Sequence, residues 1–315
     1  SGWQCMDYYF KHAEMPDYGF SPDAIFPIIN GEKGNVSATF NFQAGAKASG
    51  ANHLVSFEAG LRENMVPQDA TAVVESANLA ELVVDFESFL LEHQLGGQVQ
   101  LQGNQATFSL IGKAAHGSTP SKGVNAATFL AKYLHRFEFD QAGAESFLHL
   151  LADHLHLDFE GVNLGVAHRD PVMQELTMNV GLVNYQDDKG GSVVANFRYP
   201  KGTDPEKMAA QTAQRLAGHD LSVEWGEFKE PHYVSVDDPM VKELLAVYEE
   251  QTGLEGHEMT IGGGTYGRLM PRGVAYGALF PDSIDTMHQA NEFIAIDDLL
   301  KATAIYAEAI YRITR

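Results

Sequence analysis

The sequence predicts an α/β chain of two domains, in which an α+β middle domain made of two sandwich-like halves interrupts the other domain. Three observations carry this expectation. Alternating strands followed by a helical pattern occur twice in succession, the texture changes near Gly31 and again near Pro231, and the tail carries two well-delimited helical segments. A chain of 315 residues with 44% hydrophobic and 20% charged content is long enough for two domains of ordinary size. The expected boundaries are 1–31 and 231–315 for the interrupted domain and 32–230 for the inserted one.

The opening stretch, 1–31, carries Pro16, Pro22 and Pro27 and reads as turns around one or two short strands, ending in Phe26-Pro27-Ile28-Ile29. Val36, Ala38, Phe40 and Phe42 then alternate with polar residues, as do 54–57, 99–101 and 108–110, the pattern of half-buried antiparallel strands. Gly103-Asn104 sits between the last two as a hairpin turn. Leu79, Leu82, Val83, Phe86, Phe89 and Leu90 recur at helical spacing, and a second helical pattern covers 124–137. Strands over 176–185 and 192–199 flank a turn-forming stretch at 187–191, and a helix over 205–216 follows. Asp238-Pro239 offers an N-cap and a proline at the first helical position, Gly253 closes that helix, and a strand leads into Gly262. The last helix, about 297–313, brings Leu299, Leu300, Ala304, Ala307 and Ile310 onto one face.

Charge excludes several partners. Lys plus Arg number 21 against 42 Asp plus Glu, a formal net charge of -21, and no basic run gathers anywhere, so neither nucleic acid nor an anionic membrane is expected to bind. The long apolar stretch 79–91 is interrupted by Glu81, Asp85 and Glu87. A single cysteine, Cys5, and an opening without an apolar signal segment point to a reducing, cytoplasmic location. Ser1 stands first and Trp3, Tyr8, Tyr9 and Phe10 follow at once, which reads as a truncation or a proteolytic fragment.

Individual motifs admit two readings each. Residues 262–267 match the dinucleotide fingerprint G-x-G-x-x-G, with Asp282 twenty positions after Gly262, but Pro271 and Gly273 follow too closely for the helix that a pyrophosphate needs. What survives is a glycine loop, Gly263 and Gly264 included, whose amides approach a small anion, or equally a plain tight turn. His116 lies in a Gly, Ser and Pro loop after a strand, either solvated or donating to a developing oxyanion. Arg198 alternates with Phe197 and Tyr199 on a strand, either stacked or paired there, or gripping a carboxylate with its fork. Asp23 in Ser21-Pro22-Asp23-Ala24 reads as a turn aspartate, and His288 lies in a strand-to-helix loop where one histidine makes no metal site. HExxH, paired CxxC, GxSxG and P-loop motifs do not occur.

Several segments in fixed order resemble the M20 family of metallopeptidases, of the PepV dipeptidase type. They are Ser1-Gly2-Trp3, Met6-Asp7-Tyr8-Tyr9-Phe10, 19–24, 26–34, the His116 loop with 120–126, and Met287-His288-Gln289-Ala290-Asn291-Glu292. The resemblance runs from end to end and implies a zinc-exopeptidase-like catalytic domain interrupted by a lid domain. It implies that Asp23 ligates one Zn2+ and His288 a second, with Mn2+ or Co2+ as alternatives, and that Asn64 and His116 of the lid contact the scissile carbonyl oxygen. Arg198, helped by Gly263 and Gly264, would hold the C-terminal carboxylate of an unblocked dipeptide, β-alanyl dipeptides included. The family's H-x-D segment, bridging aspartate and glutamate pair would precede Ser1, so this chain alone is expected to be inactive. Its own cleaved N-terminal fragment or a second copy is then the expected protein partner. The alternatives are a non-enzymatic dipeptide-binding fragment and another M20 amidohydrolase, a deacylase or a carboxypeptidase.

Overall fold

A computed structural model describes residues 3–286 and 291–315. It divides into two compact units, one holding Ser1–Lys33, Pro171–Met173 and Glu230–Arg315, the other Gly34–Asp170 and Gln174–Lys229.

The second unit is built on one antiparallel sheet. Its eight strands are β1 (Gly34–Phe42), β2 (Asn52–Ala59), β3 (Asp69–Ser76), β4 (Gly96–Gln102), β5 (Gln105–Ile111), β6 (Thr177–Gln186), β7 (Gly190–Tyr199) and β8 (Ser222–Trp225), in the order β8-β1-β7-β6-β2-β3-β5-β4. The two strand-and-helix halves visible in the sequence thus meet edge to edge, through pairing of β6 with β2 from Val183↔Ala59 to Gln186↔Ser56. Alternation sets which face is covered. Val36, Ala38, Phe40 and Phe42 of β1 are buried, while Asn35, Ser37 and Thr39 between them are half-buried on the other face. The helices Leu79–His93, Ala126–Leu134 and Ala142–His149 complete the core with Leu82, Phe86, Leu130, Tyr133, Phe147 and Leu148. Gly103 takes φ +63° in the two-residue turn between β4 and β5, a conformation that glycine adopts at little cost.

Side-chain caps fix where the helices start. Asn125 accepts from the amides of Ala127 and Thr128 and donates to the Val180 carbonyl, tying a helix start to β6. Asp204 accepts from Glu206 and Lys207 in the same way. The Ala142–His149 helix was not apparent from the sequence, and it continues into a six-residue π-helical segment, Leu150–Leu155. Its signal was nonetheless present: Phe147, Leu150, Leu151 and Leu155 recur at helical spacing and, with Leu148, are buried.

The first unit centres on the strand Ile29–Glu32. It pairs with His232–Tyr233, Met259–Ile261 and Gly273–Ala275, and the last of these pairs in turn with Gly19–Ser21. The helices Pro239–Thr252 and Ile296–Ile313 pack Val241, Leu244, Tyr248, Ala302, Ile305 and Ala309 against Phe26, Ile28, Val274 and Tyr276. Arg312 joins these helices through Glu243, Glu250 and Glu308. Asp238 caps the first of them and Gly253 ends it at φ +71°. The opening holds a helix, Gln4–His12, where only turns and short strands were expected; none of its residues is buried, so it has no core-facing period to read. In the last helix the face carrying Leu299, Leu300, Ala304, Ala307 and Ile310 is exposed, and the buried face is that of Ala302, Ile305 and Ala309. No helix among the described residues is long and apolar enough to cross a membrane.

Glu32 is a buried acidic residue of this unit, only 2% exposed. Its Oε1 accepts from the Thr265 amide at 3.0 Å and the Thr265 hydroxyl at 2.6 Å, and its Oε2 lies 3.5 Å from Arg268 Nη1. Burial pushes the carboxyl above its ordinary value, outweighing the Thr265 bonds and the Arg268 charge that favour ionisation. A raised folded value means that the folded unit keeps a proton which the unfolded chain releases. The resulting stability is complete below the unfolded value near 4.5 and is lost as pH rises through the folded value. Urea denaturation of wild type and Glu32→Gln should therefore show the wild type losing ground to the variant as pH rises above the ordinary carboxylate range. A difference that is flat or of opposite slope overturns this account.

Candidate active site

Two loops of the second unit bring Asn64 and His116 together. The Gly117 amide donates to the Asn64 carbonyl at 2.8 Å, and Met65 and His116 form an antiparallel bridge. The approach is too close for a side chain: a Cβ on Gly117 would lie 2.9 Å from the Asn64 carbonyl carbon and oxygen, and one on Gly181 would lie 2.3 Å from the Glu63 oxygen. Beneath them Asn179 of β6 donates to the carbonyls of Glu63 at 2.9 Å and Met65 at 3.0 Å, clamping the residues on either side of Asn64. Asn64 is half-buried and His116 exposed.

The imidazole of His116 has a defined tautomer when neutral. The Ser118 amide donates to Nδ1 at 3.1 Å, and the Ser118 hydroxyl lies 2.7 Å from the same nitrogen. Because Nδ1 is an acceptor, the proton of the neutral ring sits on Nε2. His116 and Asn64 stand on two loops joined by backbone bonds.

Arg198 lies on β7 opposite Asn35 of β1 and Thr177 of β6. Its Nε donates to Asn196 Oδ1 at 3.0 Å, which orients the guanidinium. Asn196 is itself held by Asn35 Oδ1 at 2.8 Å and Ser37 Oγ at 2.9 Å, and Ser37 donates to Glu63 Oε2 at 2.8 Å. One polar chain therefore leads from the arginine to the residue preceding Asn64.

The other expected site residues lie in the first unit or outside the description. Asp23 is exposed in a cleft of about 320 Å³ lined also by Asp282, Ser283, Glu292 and Asp298. Ser283 donates to Asp298 Oδ2 at 2.7 Å and accepts from the Phe280 amide, which holds the cleft wall to the start of the last helix. Carboxylates at a cleft rim suit a divalent cation. Among the described residues, however, no two further ligating side chains gather with Asp23, and the groups that do gather lie in the second unit. His288 lies outside the described residues. Gly263 and Gly264 follow the strand Met259–Ile261 and lead into a four-residue 3-10 helix, Tyr266–Leu269, not into an α-helix able to face a pyrophosphate. Thr265 anchors this loop on Glu32, and Arg268 packs so near that a Cβ on Gly264 would lie 3.2 Å from its Nη1.

Sequence reasoning missed the residues that hold the site residues: Ser37, Glu63, Asn179 and Asn196 in the second unit, Glu32 and Thr265 in the first. Asn179 and Asn196 are each 1% exposed. The available signal was an amide set between apolar residues of a strand, as in Met178-Asn179-Val180 and Ala195-Asn196-Phe197, since a buried amide needs partners.

Comparison with known proteins adds the lineage. The model of peptidase family M20/M25/M40 matches residues 7–312. A Beta-Ala-Xaa dipeptidase of Lactobacillus delbrueckii subsp. lactis is 45% identical over 316 residues, which cover 100% of this chain and 66% of that protein. A putative dipeptidase of Bacillus subtilis, YtjP, is 41% identical over 322 residues, covering 100% of this chain and 67% of its own. The crystal structure of an aminoacylhistidine dipeptidase from Vibrio alginolyticus covers 98% of this chain and 66% of its own, at 15% identity and a TM-score of 0.49. The chain thus spans about two thirds of the length of these curated relatives. With one family's pattern followed over nearly every residue, and relatives above two-fifths identity along all of it, the chain belongs to peptidase family M20/M25/M40.

Proposed function

We propose that this chain carries the substrate-handling residues of a metal-dependent dipeptidase that hydrolyses unblocked dipeptides, those with N-terminal β-alanine included. The observation that carries the reading is the pairing of Asn64 with a His116 whose Nδ1 accepts from Ser118, so that Nε2–H is the donor. Such a pair can bind the scissile carbonyl oxygen more strongly as it gains negative charge. Arg198, oriented by Asn196, would grip the free carboxylate of the dipeptide. Gly263 and Gly264 are proposed as loop amides that approach an anionic group. The relatives named as dipeptidases support the substrate class, and a reducing cytoplasmic location belongs to the same proposal.

In the first unit, Asp23 and His288 are proposed each to ligate one Zn2+ of a pair, oxygen and imidazole nitrogen being donors that zinc accepts. When bound, zinc would polarise the peptide carbonyl and lower the pKa of a bound water. Among the described residues no two further ligating side chains gather with Asp23. The same observation favours a second reading, a dipeptide-binding module that performs no chemistry. A deacylase or carboxypeptidase of the same family becomes the better reading if longer acyl groups are accepted at the Arg198 end.

The deciding experiment assays the 315-residue chain alone, with zinc, on β-alanyl and α-aminoacyl dipeptides. No turnover, with dipeptide binding retained, is expected; robust turnover refutes the expected inactivity of this chain alone and leaves the binding-module reading without support. In the active dipeptidase His116→Ala should lower kcat about a hundredfold or more with zinc content unchanged, because an oxyanion donor acts on the transition state. Unchanged turnover, or loss of zinc, returns His116 to a solvated loop histidine. Arg198→Lys should raise KM more than it lowers kcat, a point charge replacing a fork at the carboxylate end. Equal hydrolysis of an amidated and a free-acid dipeptide would remove the clamp.

A further inference from the structure

Four imidazoles gather in the second unit where the Ala142–His149 helix passes into its π-helical segment. One ring nitrogen from each of His149, His154 and His219 lies within 4.8 Å of the others, and all three residues are half-buried. His149 and His219 stack with ring centroids 4.8 Å apart, and His154 meets each of them edge-on at 5.3 Å. His135 lies 5.4 Å from His149. We propose that His149, His154 and His219 form a binding site for a divalent transition metal, Zn2+ by preference, with Asp153 as the carboxylate that orients His149.

The backbone explains how the ligands meet. His149 and His154 are five residues apart; in an α-helix that spacing puts side chains about 140° apart around the axis. In a π-turn, with bonds from i to i+5, residues five apart come to nearly the same face. The segment Leu150–Leu155 supplies that turn, and its apolar residues Leu150, Leu151 and Leu155 are buried, so the core holds the winding. His219 arrives from the turn between the Pro205–Arg215 helix and β8, where its amide donates to the Leu216 carbonyl. The three nitrogens need only close to about 3.3 Å from one another for tetrahedral bonds of about 2.05 Å to zinc.

Asp153 and Lys132 surround these imidazoles with charge. Asp153 Oδ2 lies 3.0 Å from His149 Nδ1 and 3.1 Å from His135 Nε2, and its Oδ1 accepts from Lys132 Nζ at 3.0 Å. A carboxylate on Nδ1 fixes the tautomer of His149 so that Nε2 carries the lone pair, the arrangement that orients metal-bound histidines. Burial and the neighbouring imidazoles of His149 and His219 hold His154 below its ordinary value, and burial with His149 does the same for His219. Both effects, helped at His154 by Arg215, favour the neutral ring that a metal requires. A bound ion would fasten the turn before β8 to the π segment, cross-linking parts of the chain some 65 residues apart.

Zinc titration of the 315-residue chain by calorimetry tests this, with Ni2+ as a second probe. One binding event should survive Asp23→Asn, weaken at least about a hundredfold in His149→Gln or His219→Gln, and weaken about ten- to a hundredfold in Asp153→Asn. No such event up to millimolar zinc, or an event that persists in His149→Gln/His219→Gln, overturns the proposal. If a variant fails to fold, carbethoxylation of the wild-type chain read by mass spectrometry decides instead. Zinc should shield His149, His154 and His219 together, and equal modification with and without zinc overturns the site.

Discussion

The pleat of β1, β7 and β6 is the constraint on which the rest of the second unit depends. One face of these strands carries Val36, Ala38, Phe40, Ala195, Phe197, Met178 and Val180 into the core. The opposite face aligns Ser37, Asn196 and Asn179 as neighbours across three strands. A slip of one residue would exchange the faces, placing amides among the aromatic rings and Phe40 in the polar layer. The register that builds the core therefore also builds the polar rung. The side-chain N–H groups of Asn179 and Asn196 are paired with the carbonyls of Glu63 and Met65 and the side chain of Asn35, each bond sparing a cost of about 1–3 kcal/mol, while Asn179 Oδ1 stays buried without a partner among the described residues. The loop bearing Asn64 is held by the same bonds that satisfy the sheet.

Much of this was legible in the sequence. The period-two run from Val36 to Phe42, the turn at Gly103-Asn104, the helix that starts at Pro205 and the helix capped by Asp238 are local patterns, and the structure shows each of them. The Gln4–His12 helix has no buried residue and so leaves no core-facing period to read, whereas the Ala142–His149 helix carries its apolar residues at helical spacing into the π segment and went unread. For the candidate site, the motif residues stood out but their supports did not. Asn179 reaches Glu63 across 116 positions, and Asn196 reaches Asn35 across 161. Long-range pairing of that kind follows from sheet order, and sheet order is not written in any one segment.

The first unit shows the same economy in a smaller form. Thr265 receives a hydrogen bond from Gly267 while it donates to Glu32, so a single hydroxyl starts the 3-10 helix and ties the glycine loop to the central strand. Arg268, one turn on, meets the same carboxylate and also the carbonyls of Lys33 and Glu230. The glycine loop is thereby tied to the central strand through its neighbours, although its own residues bring no side chains. A backbone meant to approach a ligand closely gains from being held in this way, since little freedom is left to lose on binding.

The π segment also has a meaning for how such a chain varies by insertion and deletion. A π-turn contains one residue more than the α-turn it replaces, so Leu150–Leu155 is equivalent to a single-residue insertion absorbed without breaking the helix. A sequence lacking one residue there could keep every histidine and still scatter them, because His154 would rotate by about 100° around the axis. Two chains of the same composition could then differ in whether these rings ever meet, and an alignment gap of one position would mark the difference.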